Sequence, residues 1–343
     1  MKKLFVLIIS ILINANLFTA LADMQQKDPY LTRTFPASSI KEVEANTSGG
    51  NITVSGDAVS EAVVEVYASH GNWSAERIKQ TLEEKYTFEI KVEDGKLYVA
   101  GKPKNRITYL NQQGLSISFK ITVPEHVNSH LQTSGGNIRI GNLSGTQDFK
   151  TSGGSLTVEN VSGSINGVTS GGSITITNSK DNIDLKISGG SITARDCSGK
   201  INMRTSGGSI RMNDLNGNIE AFTSGGSIRA NNICGALKTG TSGGSVTLDG
   251  ISGSVDAKTS GGSMNVTMES VSEYVKLSNS GNVNLTLPAN KGYNLKVKAD
   301  KITTSGLKGY RGDIESRKLE GTVDNGGPQI EISTSQRVNL TFK

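Results

Sequence analysis

Residues 151–173, TSGGSLTVENVSGSINGVTSGGS, begin and end on the same pentapeptide, 18 positions apart. The spacing runs far beyond this stretch. The first glycine of each Ser-Gly-Gly falls at Gly135, Gly153, Gly171, Gly189, Gly207, Gly225, Gly243 and Gly261, eight copies without interruption. Self-similarity at a fixed period marks a repeat architecture, each repeat being one supersecondary unit. A half-period of nine lies inside it, because Gly154-Ser155-Leu156 is answered by Gly163-Ser164-Ile165 and then by Gly172-Ser173-Ile174. Each repeat therefore predicts two strand-forming halves.

Within a half, apolar and polar residues alternate, as in Ser173-Ile174-Thr175-Ile176 and Ile219-Glu220-Ala221-Phe222. That is the period of a strand with one buried face. Ile, Leu and Val are expected to point inward, with Ser, Thr, Asn and the charged residues outward. One such coil cannot cover its own apolar row, but stacked coils cover one another. The predicted fold is all-β: a parallel β-helix, or β-solenoid, of about 18 residues per coil, right-handed by the rule for parallel crossovers. A left-handed hexapeptide helix would subdivide by six, whereas this sequence subdivides by nine. Eight coils make a rod of roughly 35–40 Å at the usual strand spacing.

The glycine pairs are assigned to sharp turns, where positive φ or close backbone approach excludes a side chain. Asn142, Asn160, Asn178, Asp196, Asp214 and Asn232, followed by Gly250, form a second turn column of the residue types that tolerate the left-handed conformation. The Thr and Ser before each glycine pair, with Ile187 the exception, are expected to form hydroxyl ladders along the rod.

Outside the array the pattern loosens. Thr47-Ser48-Gly49-Gly50-Asn51-Ile52-Thr53-Val54 is an outlying copy of the repeat start. Alternating strands are predicted at Val63–Tyr67, Tyr86–Val92, Lys96–Ala100 and Leu115–Val123, with an Asp94-Gly95 hairpin turn and a short helix capped by Ser74. After Val266 the register slips, since Asn279-Ser280-Gly281 follows Thr259-Ser260-Gly261 at a spacing of 20 rather than 18. Both flanks are assigned as caps on the open strand stack.

Met1–Ala22 places Lys2 and Lys3 before an apolar run from Leu4 to Ile13, then Ala20-Leu21-Ala22, the order of a secretory signal peptide. The expected organisation is a signal peptide over 1–22, an N-terminal irregular β segment with one short helix over 23–132, the regular β-helix over 133–268, and C-terminal irregular coils and cap over 269–343. No transmembrane segment is expected in the mature chain. The formal charge of +5 falls to +3 without Lys2 and Lys3, too little to point to nucleic acid. Cys197 and Cys234 lie about two coils apart in sequence and would be separated by roughly 10 Å, too far for a disulfide. Two free thiols are expected.

The chain resembles the bacterial putative-adhesin family of β-helix repeat proteins. The resemblance rests on Asn46-Thr47-Ser48-Gly49-Gly50-Asn51-Ile52, the strand Leu115-Ser116-Ile117-Ser118-Phe119-Lys120-Ile121-Thr122-Val123-Pro124 and the Thr-Ser-Gly-Gly-Ser array. It covers nearly all of the mature chain. It implies a parallel β-helix at the envelope or cell surface and supplies no catalytic residues.

Several stretches imitate chemistry. Gly240-Thr241-Ser242-Gly243-Gly244 matches a serine-hydrolase pattern, but that chemistry needs a later histidine, and His70, His126 and His130 all precede it. His126 and His130 have the offset of a zinc pair, with Glu125 and Glu84 as conceivable further ligands; their place after Pro124, at a strand end, favours ordinary surface histidines. Asp196 and Asp214 share a place in adjacent coils, about 5 Å apart, where they could hold a cation or act in polysaccharide cleavage; turn residues explain them as well. Ser155/Thr157, Ser173/Thr175, Ser191/Thr193 and Ser245/Thr247 make a flat hydroxyl pattern reminiscent of ice-binding solenoids, broken by Arg211 and Arg229. Arg311-Gly312-Asp313 imitates an integrin ligand. On the second strand the outward columns Asp148 to Asp256 and Lys150 to Lys258 hold one aromatic, Phe222, little for a carbohydrate face.

These features lead to an expectation of a non-enzymatic exported module that presents a rigid, hydroxyl-rich surface, adhesive or structural. No catalytic, metal or cofactor site is assigned. The partner is left open among envelope or extracellular polysaccharide and surface proteins. A lyase- or hydrolase-like β-helix and a scaffold for envelope assembly are the alternatives. Gly207→Val is expected to lower the midpoint of thermal unfolding, and an unchanged midpoint would remove this residue's turn role.

Overall fold

In the strand Leu156–Thr169, the buried residues are Leu156, Val158, Val161, Ile165, Gly167 and Thr169. Strict alternation would have put Val161 on the outside. It is turned inward because Asn160 takes φ 56° and Gly163 φ 105°, so the hydrogen-bonded strand bends around its own core. The same left-handed turn is made by Asn142, Asn178, Asp196, Asp214 and Asn232, with φ between 48° and 56°, and by Gly250 at φ 65°. Their amides also bond along the rod, Asn160 Nδ2 to Asn142 Oδ1 at 2.9 Å and Asn178 Nδ2 to Asn160 Oδ1 at 2.6 Å.

The computed structural model describes residues 28–104, 114–289 and 291–343; the signal-peptide assignment at 1–22 lies outside them. Its strands stack as a solenoid. Leu156 faces Ile138 on one side and Ile174 on the other, each one repeat away, in parallel register. The same offset continues through Ile192, Ile210, Ile228 and Val246, and all of these side chains are buried. Each contributes on the order of 1.5–3 kcal/mol by leaving water. No helix among the described residues is long and apolar enough to cross a membrane.

The threonine of each Thr-Ser-Gly-Gly departs from the sequence expectation. Thr151, Thr169, Thr205, Thr223, Thr241 and Thr259 are buried, and their hydroxyls bond backbone rather than one another. Thr205 Oγ1 donates to Gly190 O at 2.8 Å and accepts from Gly208 N at 3.3 Å. The threonine thus ties its own turn to the turn beneath. The following serines are exposed. Hydroxyl stacking falls instead on the serine after the glycines, where Ser191 Oγ accepts from Ser209 N at 3.1 Å and Ser209 Oγ from Ser227 N at 3.2 Å.

The two glycines of the pair differ. A Cβ on Gly207 would meet Gly189 O at 3.1 Å, and across the first-glycine column from Gly135 to Gly261 the nearest atom lies at 2.7–3.8 Å. On Gly208 it would lie 2.0 Å from Gly190 O. The second glycine is where the coil backbones touch, so the steric demand is sharper there than at the glycines singled out from the sequence.

Both ends are built out of sequence order. Glu42–Thr47 and Ile52–Gly56 stack on the first regular coil, Ile52 opposite Ile138. Their outer edges pair with the later strands Lys96–Pro103 and Ser116–Val123. Antiparallel pairs then close that end: Glu61–Ser69 on Ser116–Val123, Leu31–Pro36 on Glu61–Ser69, and Tyr86–Glu93 on Lys96–Pro103. The helix Ala75–Lys85 begins at Ser74, which accepts from Arg77 N, and buries Ile78 and Leu82. At the other end Gln329–Thr334 and Arg337–Phe342 lie between the coil before them and Tyr293–Lys298 and Lys301–Ser305. Antiparallel Lys318–Val323 and Tyr310–Ile314 finish the stack.

Thr205→Val should destabilise the chain by about 1–3 kcal/mol, the cost of leaving buried backbone groups unpaired. Gly208→Ala should cost more than Gly207→Ala. Equilibrium denaturation of the three variants checks both statements, and equal costs at the two glycines would contradict the second.

Candidate functional site

The structure separates the residues that imitate chemistry. His126 and His130 are both exposed. His126 Nδ1 is engaged with Ser144 Oγ, while His130 sits in Asn128–Thr133 between Glu44 and Asp148. Four residues of extended chain span roughly 13 Å, too far for one ion. Glu84 is bonded to Gln80 on the helix. Among the described residues no group of three or more His, Cys, Asp or Glu converges as a metal site.

Asp196 and Asp214 occupy left-handed turn positions in adjacent coils, and Asp214 Oδ1 accepts from Asn232 Nδ2 at 3.0 Å. Thr241 within Gly240-Thr241-Ser242-Gly243-Gly244 makes the usual turn clamp, to Gly226 O at 2.7 Å and from Gly244 N at 3.2 Å. Arg311-Gly312-Asp313 lies in the edge strand Tyr310–Ile314 rather than at a loop tip. Its arginine donates to Asp324 O at 2.5 Å. On the first face Arg211 and Arg229 stand side by side in register, exposed, within the serine and threonine rows.

The second face carries the two outward columns weighed above as a carbohydrate face, and the structure adds to them the column of Lys200, Asn218 and Ala236. Its outward side chains come from successive coils: Lys200, Asn202 and Arg204; Asn218, Glu220 and Phe222; then Ala236, Lys238 and Gly240. Adjacent rows are about 4.8 Å apart. Arg204 Nη2 bonds Glu220 Oε2 at 3.1 Å, and the guanidinium sits 5.2 Å from the Phe222 ring centre. The ring lies over Gly240, where a Cβ would come within 3.3 Å of it. Glu220 and Arg204 neutralise each other. Lys200 and Lys238, both exposed, carry the remaining charge.

Tyr274 completes this group. Between Val246–Thr259 and Met264–Asn279 the register shifts, and Val255 pairs with Val275 instead of Glu273, the residue one repeat on. The shift sets Tyr274 beside Ser254, whose small side chain is buried and accepts from Glu273 N. Beyond it Ala236 leaves a gap. The result is a recess of about 350 Å³ lined by Tyr274, Lys200, Asn202, Asn218, Glu220, Ala236 and Lys238, with Ile201, Ile219 and Leu237 beneath. Tyr274 is 39% exposed, whereas large apolar side chains elsewhere are mostly buried. Asn202 spends its Nδ2 on Asp184 Oδ1 at 3.1 Å, and its covered Oδ1 has no hydrogen-bond partner.

Outward columns read at a strict period of 18 end at Asp256 and Lys258, one coil short of Tyr274. The signal is present in the late slip of the array. Only the position of the bulge says which column the ring enters.

Residues 201–336 match the family model described as Toastrack DUF4097. All of the recess except Lys200 falls within that span. Several solved structures are also similar over most of their length. A putative cell adhesion protein from Clostridium sporogenes is 12% identical, with 91% of this chain and 98% of that chain covered and a TM-score of 0.20. Putative adhesins from Bacteroides fragilis and Parabacteroides distasonis are 14% and 11% identical, covering 91% and 90% of this chain and 96% of each of theirs, with TM-scores of 0.25 and 0.26. The comparison with curated proteins returns no match. The chain is similar to Toastrack proteins in an almost wholly β, solenoid-like architecture.

The two thiols are free and differ in environment, Cys197 buried and Cys234 exposed. Burial pushes the Cys197 thiol above its ordinary range. A thiol reagent at neutral pH should modify one cysteine of the folded chain, Cys234, and reach Cys197 only on unfolding. Fast labelling of both would show that the column around Cys197 opens readily.

Proposed function

We propose that this chain is an exported, non-enzymatic β-solenoid, an adhesive module of the cell envelope or surface. In this reading residues 1–22 are removed as a leader, 23–132 and 269–343 act as caps, and 133–268 form a right-handed rod with one coil per sequence repeat. The observation that carries it is the in-register outward columns of parallel strands, each paired with the strand one repeat away. They hold ligand-facing groups at fixed spacing on a rigid surface, so weak contacts repeated along the rod add through multivalency. The similarity of residues 201–336 to Toastrack proteins supports the solenoid part of this reading.

Purified 23–343 is expected to bind a subset of envelope polysaccharides or matrix components without converting them. Fractionation of the native cells with protease accessibility should place it outside the cytoplasm. Turnover on a glycan panel, lost in Asp196→Asn or Asp214→Asn, would replace this function with a polysaccharide-cleaving one. Binding to nothing in such a panel, together with concentration-dependent self-association in light scattering, would favour an assembly scaffold.

A further inference from the structure

We propose that the Tyr274 recess is a binding site for an anionic glycan, a sugar chain bearing carboxylate or sulfate groups. The proposal rests on the adhesive-module reading and gives that module a specific site. Tyr274 presents a partly exposed ring at the edge of a depression whose apolar base, Ile201, Ile219 and Leu237, is bordered by polar side chains. An aromatic face beside amides and charges suits a pyranose, whose C–H edges pack on the ring while its hydroxyls reach hydrogen-bonding side chains. Asn218, exposed in the lining, offers such an amide, while the covered Oδ1 of Asn202, which has no donor, would have to turn outward to accept one.

Charge selects among glycans. The one acid lining the recess, Glu220, is held by Arg204; Asp256 stands opposite Lys238 one coil on but outside the lining, so Lys200 and Lys238 are the cations of the recess that no ion pair among the described residues ties down. They stand two coils apart, about 10 Å along the rod, so they would meet anionic groups on separate sugar units. The rows advance at about 4.8 Å, close to the length of one ring, so successive units can follow successive coils. A protein partner fits less well. Protein hot spots centre on desolvated aromatic or apolar anchors, and here the exposed ring of the recess has Lys, Asn and Glu side chains beside it, with the apolar residues confined to a shallow base.

Titration calorimetry of the purified 23–343 chain tests this, with short oligogalacturonates as the carboxylated probe and heparin-derived oligosaccharides as the sulfated one. Neutral galactan oligomers and polyglutamate serve as comparisons. Binding to either anionic sugar is expected to weaken on the order of tenfold in Tyr274→Ala, a loss of about 1.4 kcal/mol. It should survive in Tyr274→Phe, and it should weaken with added salt in the parent but much less in Lys200→Gln/Lys238→Gln. All three variants alter exposed side chains, and unchanged thermal unfolding verifies that each is folded. Which anionic probe binds identifies the charged group.

Equal binding of neutral galactan would overturn the charge argument, and equal binding of polyglutamate with the same variant dependence would replace a sugar by an acidic peptide. If an anionic sugar binds but is indifferent to Tyr274→Ala and to the lysine pair, the recess is wrong and the adhesive module stands. If the chain binds neither the anionic probes nor any member of the wider panel, the adhesive reading falls with it.

Discussion

The backbone contact at the second glycine of each turn governs the rest of the molecule. Gly190 O lies 2.0 Å from the place a Cβ would occupy on Gly208, and the same approach recurs at Gly226 over Gly208 O and Gly244 over Gly226 O. Coils can close to strand-pairing distance at the corner only if nothing projects there. The buried threonine beside the contact then satisfies the carbonyl below and the amide of its own turn. Steric exclusion and hydrogen bonding thus act on the same few atoms. Sliding one coil past the next would place side chains where there is room for none and leave those polar groups unpaired in the core.

Fixed register at the turn makes the outer faces regular. Residues that share a place in the repeat are stacked on one face, which is why Asn166 bonds Asp148 and Asn202 bonds Asp184, each across one repeat. Departures from the pattern are therefore informative. Ile187 interrupts the buried threonine column, and the shift before Val275 interrupts the strand alignment. The first leaves a turn without its clamp. The second moves an aromatic ring to the border of a depression that Ala236 leaves open. A surface otherwise governed by repetition acquires one place with mixed chemistry.

The ends meet a different constraint, because a parallel stack exposes backbone donors and acceptors on its outermost strands. In this chain each outermost coil is held by strands drawn from elsewhere in sequence. Ser116–Val123 lies outside Ile52–Gly56 although it follows it, and Arg337–Phe342 lies inside Lys301–Ser305 although it comes later still. The outer coil cannot peel away without breaking contacts on a neighbour distant in sequence. Antiparallel hairpins finish both ends, where the repeat pattern has already disappeared.

Much of the solenoid is legible from sequence because its determinants repeat: glycine where backbones touch, Asn or Asp where φ is left-handed, Ile and Val where the strand faces inward. Each is dictated by local sterics or by burial of a single side chain, so residue type and period suffice to place it. The threonines escape that reading for a physical reason. A hydroxyl reads as outward in a two-state pattern of apolar and polar residues, whereas here it is buried against carbonyls that only the stacked coil supplies. The order of coils at the two ends and the column that Tyr274 enters are likewise beyond the sequence. Both depend on which distant strands share a hydrogen-bonded edge, and strand pairing is settled by the whole stack rather than by the residues of any one coil.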